Sequence, residues 1–231
     1  MSETANLRLP LLAEAQAQKH VTVNEALALL DAATGLALTT AAATAPPASP
    51  AEGACHYVPA GATGDWAGKA GTLAFRLGGG WVHRTPRPGT AAFLADAGRL
   101  AVFHATAGWV TALAVGPAGA AACPVAIEQE VTLAGTYTEA AAPIPDRSLV
   151  FAVTSRTLVA VTGAASYDCG IAGEAAKFGG SLGAAAGSTN IGVVGPTAFY
   201  APTPVRLTAN GGAFTGGRVR LAIHALTFVG T

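Results

Sequence analysis

Five histidines, His20, His56, His83, His104 and His224, are the residues of this chain best suited to proton transfer or metal binding. None stands at a recognisable spacing from the thiol, Ser-x-Gly elbow or carboxylate that a nucleophile–base pair needs. Cys55, Cys123 and Cys169 are odd in number and far apart, with no CxxC, so they read as small buried hydrophobes and not as metal ligands or a disulfide. Asp65, Asp96, Asp146 and Asp168 each sit beside turn residues and lack the DxDxDG spacing of a calcium loop; such aspartates hold their own backbone. The run GSLGAAAGST at 180–189 has the glycines of a phosphate loop but not its Gly-Lys-Ser/Thr ending. No catalytic residue, metal site or cofactor is expected.

The aromatic residues remain, because sugar rings stack their C–H faces on exposed tryptophan and tyrosine. Trp81 and Trp109 recur at the same place in two similar segments and read as core. Trp66 lies in a glycine-flanked turn, Gly64-Asp-Trp-Ala-Gly68, and is the better surface candidate. Tyr167 and Asp168, with Asn190 and Tyr200 near the glycine cluster from Phe178 to Gly195, form the comparable set in the second half. That cluster is expected to be loops on a rigid frame, where binding concentrates. The glycan-contacting candidates are Trp66, Tyr167, Asp168, Asn190 and Tyr200.

The elements that would position them are mostly strands. The chain has 231 residues with 29 glycines and 14 prolines, which suggests many turns between short strands. Thirteen basic and thirteen acidic residues give no net charge, so neither nucleic acid nor an anionic membrane is an expected partner. No apolar run is long enough for a helical membrane span, and the first residues do not read as a secretion signal. Thr22-Val-Asn-Glu25 fits a capping box, with Leu27, Leu29, Leu30 and Ala33 following and Gly35 as C-cap, which predicts a helix over about 23–34. A helix that short needs its leucine face packed on something. Upstream, Pro10 opens either a second short helix or an extended arm.

Thr39 to Pro50 is prolyl and uncharged and reads as a linker. Ala70-Gly-Thr-Leu-Ala-Phe75 leading to Trp81-Val82, and Ala97-Gly-Arg-Leu-Ala-Val-Phe103 leading to Trp109-Val110, read as two copies of a hairpin. Further on, LVFAVTSRTLVAVTG reads as two strands around Thr154 to Thr157, and the last strand places Val219, Leu221, Ile223 and Ala225 on one face. The expected fold is mainly β: a helical anchor segment at 1–44, a small antiparallel hairpin domain at 45–115, and a β-sandwich or jelly roll at 116–231.

The stretch Gln16-Ala-Gln-Lys-His20, with Thr22, Asn24-Glu-Ala-Leu27 and Leu30-Asp31, then Pro46-Pro47 and Tyr57 to Gly68, resembles a family of proteins from alphaproteobacterial prophages and gene transfer agents. The run from Pro204 to His224 is similar to the far end of the same proteins. The resemblance implies a fibre or spike on a phage-like particle, made in the bacterial cytoplasm, that attaches the particle to capsular polysaccharide of a host. It implies as partners other particle proteins, the host polysaccharide and further copies of the chain, most often as a trimer. Gln16, Gln18, Lys19, His20, Asn24, Leu27 and Leu30 are the expected docking and oligomerisation residues. A capsule-degrading depolymerase or esterase and a purely architectural adaptor are the alternatives.

Overall fold

The computed structural model describes residues 3–12 and 19–229, and it resolves into two compact units, residues 1–121 and 122–231. The first unit contains the expected helix and strands. Helix α1 spans Lys19–Ala33, followed by β1 (Ala37–Leu38), β2 (Cys55–Tyr57), β3 (Leu73–Leu77), β4 (Gly80–Arg84), β5 (Ala91–Leu94), β6 (Arg99–His104), β7 (Gly108–Val110) and β8 (Ala114–Val115). Seven of these strands form one sheet in the order β4-β3-β2-β1-β5-β6-β7.

Both hairpins expected from the repeat are present, as β3–β4 and β6–β7. Gly78 and Gly79, with φ of 58° and 76°, make the first turn, whose two positive φ values match the twist of the flanking strands. The sheet is not wholly antiparallel, however. The two-residue strand β1 lies in its middle and pairs in parallel with β2 and with β5, so Leu38 faces Cys55 on one side and Leu94 on the other.

Each repeat therefore begins with a strand parallel to β1 and folds outward from it. Two copies so placed are related by a half-turn about the β1 direction, which also turns the sheet over, and equivalent residues face opposite sides. Leu73 is buried where its counterpart Leu100 is exposed. Trp109 packs with the helix-side core of Leu38, Phe75 and Leu94, against Phe103 and Tyr57. Trp81 packs on the other side, with Val58, Trp66 and Ala74.

Four expectations for this unit are corrected. Helix α1 already includes Lys19, so Thr22 and Glu25 lie within it and form no capping box. The Asn24 amide instead braces Leu12, accepting from its N–H at 2.9 Å and donating to its C=O at 3.0 Å. The helix finds its packing partner in its own sheet, through Leu29, Ala32 and the following Leu36, while Leu30 stays 57% exposed. The prolyl stretch is tied into the unit as well: Ala43 packs at the Trp66 cluster and the Thr44 carbonyl accepts from Thr63. Finally, Trp66 is wholly buried. The glycine-flanked turn is a tight 3-10 turn, Gly64–Trp66, that brings the indole back under the sheet, edge-on to Trp81 at 5.2 Å and 5.3 Å from the His56 ring. Its ring has no free face for a sugar.

The second unit is a sandwich of eight strands: β9 (Ala121–Thr132), β10 (Tyr137–Glu139), β11 (Ser148–Thr162), β12 (Ser166–Ile171), β13 (Glu174–Gly183), β14 (Thr189–Phe199), β15 (Arg206–Asn210) and β16 (Gly216–Val229). One sheet runs β10-β15-β12-β13, and in the other β14-β11-β16-β9 lie side by side in that order, with β8 next to β9. Alternation decides what lies between them. Val219, Leu221, Ile223 and Ala225 point inward as expected, meeting Val150 and Val153 and, from the opposite sheet, Tyr167, Cys169, Phe178 and Leu207.

The segment read as two strands around Thr154 to Thr157 is one continuous strand, β11, because its polar residues also alternate: Ser155 and Thr157 are buried and Arg156 is exposed. The Thr157 hydroxyl lies 3.1 Å from the Tyr167 hydroxyl and donates to the Gly183 carbonyl at 3.0 Å. The glycine cluster forms strands β13 and β14 and not loops. Its glycines admit close contact: a Cβ on Gly192 would lie 2.0 Å from the Phe178 carbonyl oxygen and 2.6 Å from that of Val153.

Three substitutions test this packing by urea unfolding. Trp66→Ala is expected to destabilise the first unit by about 3–5 kcal/mol, whereas Trp66→Phe costs much less, since the indole Nε1 has no hydrogen-bond partner among the described residues. Gly192→Ala is expected to cost the second unit at least about 2 kcal/mol and to leave the first unchanged.

Candidate functional site

Two surfaces collect the polar and apolar groups that the cores leave out, one on each unit. In the first unit the surface is built by helix α1 and the arm at 3–12 that lies along it. Thr4 and Leu9 close the arm on itself, with the Thr4 N–H donating to the Leu9 carbonyl and the Leu9 N–H to the Thr4 hydroxyl. Asp31, buried in the last turn of the helix, clamps the arm by accepting from the main-chain N–H groups of Asn6 and Leu7. Burial pushes its carboxyl upward, but those two N–H donors with the Thr4 and Asn6 side chains outweigh it and hold the group below its ordinary value of 3.8. Between arm, helix and the β3–β4 hairpin runs an open groove of about 870 Å³, lined by Leu11, Val21, Leu29, Leu77 and Val82 with Glu3 and Glu25 among its carboxylates.

Of the expected docking residues, Asn24 is engaged with the arm, Leu27 is half-buried and Leu30 stands in solvent. Lys19 and His20 lie in the first turn of α1. Gln16 and Gln18 lie outside the described residues.

In the second unit the surface is the outer face of the sheet β10-β15-β12-β13. Because Leu207, Tyr167 and Cys169 point into the core, their neighbours Arg206, Thr208, Asn210, Ser166 and Asp168 point out. Register aligns them in rows: Tyr137 beside Thr208 beside Asp168, Glu139 beside Arg206 beside Gly170, and Asn210 beside Ser166. The Arg206 guanidinium stacks on the Tyr137 ring, 4.1 Å from its centre, and pairs with Glu139 through Nη2 at 2.6 Å and Nε at 3.1 Å. Tyr137 remains half exposed. Asp168 Oδ1 accepts from the Asn210 amide at 2.6 Å and from the Ser181 N–H at 2.7 Å. The Thr208 hydroxyl, between Tyr137 and Asp168, has no hydrogen-bond partner among the described residues.

The structure thus brings one expected residue, Asp168, into this surface and removes another. Tyr167 is buried with its hydroxyl on Thr157 and offers no ring face, since adjacent residues of a strand face opposite sides. Asn190 donates to the Phe178 carbonyl at 2.8 Å and holds the two sheets together at the β13–β14 side. Tyr200 follows β14 and is 85% exposed, outside the rows described above. Tyr137, Glu139, Arg206 and Thr208 were not foreseen. Their signal was the alternation in Tyr-Thr-Glu and Arg-Leu-Thr-Ala-Asn, a polar residue at every second place around a single buried leucine.

The carboxylates of this face are Glu139 and Asp168. Both carboxylates are held by partners, and no three His, Cys, Asp or Glu side chains gather at metal-binding distance among the described residues. Cys55 and Cys169 are buried thiols pushed up to about 12 by burial, and all three cysteines are free. No helix among the described residues is long and apolar enough to cross a membrane.

Residues 23–110 match DUF2793, a family described as a protein of unknown function. The match takes in most of helix α1 and both hairpin repeats. No curated protein matches the chain. Among solved structures, a chain described as "Cyanophage Pam1 capsid asymmetric unit" is similar at 19% identity over 46% of this chain and 86% of that one, with a TM-score of 0.36.

Asp31 gives this subsection its test. Since its folded value lies below 3.8, its contribution to stability is present above that pH and is lost as the pH falls through the folded value. Hydrogen exchange at the Asn6 and Leu7 amides is therefore expected to be slow at neutral pH and to speed up below about pH 3.8. Asp31→Asn is expected to give fast exchange there at every pH, with a loss of about 1–2 kcal/mol.

Proposed function

We propose that this protein is a structural component of a phage-like particle that attaches the particle to host surface polysaccharide. In this reading the first unit docks on the particle through the exposed side of α1 and the second unit meets the glycan. The observation that carries it is the outer face of the β10-β15-β12-β13 sheet, where Tyr137, Arg206, Glu139, Asp168 and Asn210 stand in register on an open surface. Such a face suits a sugar: a half-exposed ring takes the C–H side of a pyranose, and fixed carboxylates, amide and guanidinium take its hydroxyls. The resemblance of the Gln16 to Asp31 stretch to prophage and gene transfer agent proteins supports the particle setting. Contacts of this kind are individually weak, and display of many copies on one particle multiplies them. Tyr200, exposed beyond β14, is a further contact in this reading.

The full-length protein is expected to bind capsulated host cells saturably and to ignore capsule-free ones. Tyr137→Ala and Arg206→Ala should each weaken binding by about five- to tenfold, while Trp66→Phe leaves it unchanged. Equal binding to both kinds of cell would remove the receptor assignment, and release of reducing ends or acetate from purified capsule would replace it with a depolymerase or esterase.

A further inference from the structure

The cations of the sheet β10-β15-β12-β13 are all spent within the protein. On its polar face the one cation is Arg206, and both its Nη2 and its Nε donate to Glu139 Oε1 while the guanidinium lies over the Tyr137 ring. Held there, the Arg206 side chain is 25% exposed, against 40% for the carboxylate it pairs with. Lys177 on β13 is the only other cation of these four strands, and it pairs with Glu174 at 2.9 Å. Asp168 differs from both other carboxylates. Its Oδ1 takes its hydrogen bonds from the Asn210 amide and the Ser181 N–H, which are neutral donors, so its negative charge is bonded but not cancelled.

A sugar carboxylate or sulfate therefore finds no partner on this surface. To take one, Arg206 would have to leave Glu139 and the ring it stacks on, losing two charge-assisted hydrogen bonds and exposing Glu139 beside the incoming anion. Asp168, on the neighbouring strand, adds repulsion of the same sign. What the face does leave open is acceptor capacity: Glu139 Oε2 and Asp168 Oδ2 take no hydrogen bond among the described residues. A carboxylate oxygen only accepts, so it calls for a donor, and the hydroxyl of a sugar is one.

We infer that the glycan taken by this face is uncharged. Its hydroxyls donate to Glu139 Oε2 and Asp168 Oδ2 and its C–H side rests on Tyr137, while Arg206 is a positioning residue that holds the ring and the carboxylate in place and reads no sugar anion. The inference rests on the attachment reading and narrows it to a class of ligand.

Purified host capsular polysaccharide, intact and after carbodiimide–borohydride reduction of its carboxylates to alcohols, tests this with the full-length protein. The dissociation constants for the two polymers are expected to agree within about twofold, and that for the intact polymer to hold within about twofold between roughly 20 and 500 mM sodium chloride, where an interaction between charges is screened. The weakening caused by Arg206→Ala should be the same on both polymers and at both salt concentrations, because the guanidinium acts through Tyr137. Loss of binding on reduction would overturn the inference, and so would a salt-induced weakening of about tenfold or more, the mark of an acidic or amino sugar. An Arg206→Ala effect confined to the intact polymer or to low salt would overturn it too. These three results leave the attachment reading in place, whereas equal binding to capsulated and capsule-free cells removes the reading and the inference together.

Discussion

The parallel pairing of one two-residue strand on both its edges is the constraint from which the first unit follows. β1 is too short to stabilise anything by its own hydrogen bonds, yet Leu38 is fully buried between Cys55 and Leu94 and joins the two hairpin ladders into one sheet. The main chain around it is used completely: the Thr39 N–H donates to Cys55, the Phe93 N–H to Leu36 and the Ala95 N–H to Leu38. Placing a duplicated hairpin on both sides of a shared strand forces the half-turn between copies. One helix then suffices to cover one face, where it meets Phe75 and Leu73 from the first copy and Leu94 and Ala101 from the second. The other face is closed over the first copy alone, by the Trp66 turn, and that is why Leu100 and Phe93 remain exposed over the second.

The second unit depends on smallness in a comparable way. Its strands β13 and β14 belong to different sheets, and they come together at the side of the sandwich only because Gly192 lets the chain lie against the Phe178 carbonyl. Asn190 then spends its amide on the same carbonyl. Glycine here is a packing residue and not a mark of mobility, and the difference matters for function: the rigid outer faces of the sheets are the surfaces that can hold fixed groups in register.

Much of this architecture was legible in the sequence, and what was not has physical reasons. The hairpins, the inward face of the last strand, the buried cysteines and the C-cap at Gly35, whose φ is 63°, follow from local pattern. The capping box was misread because Thr22 and Glu25 sit inside α1, where the intervening Asn24 is taken up by Leu12 of the arm. The place of Trp66 was misread because a glycine-flanked aromatic looks exposed until the turn is known to fold back. The Tyr167–Asp168 pair was half right for the simplest reason: neighbours on a strand cannot share a face, so one of the two had to be core. The row of Tyr137, Thr208 and Asp168 joins three strands far apart in sequence, and no local pattern announces a cross-strand row.

The two outer faces of the sandwich differ in character. Strand alternation gives each sheet one face to the shared core and one to solvent, so a sandwich cannot use the same side for two partners without competition. Here the side carrying Tyr137, Arg206 and Asp168 is polar and internally bonded, which preserves it in water as an isolated surface. The side carrying Ile191, Val193 and Arg156 instead leaves two aliphatic side chains in water.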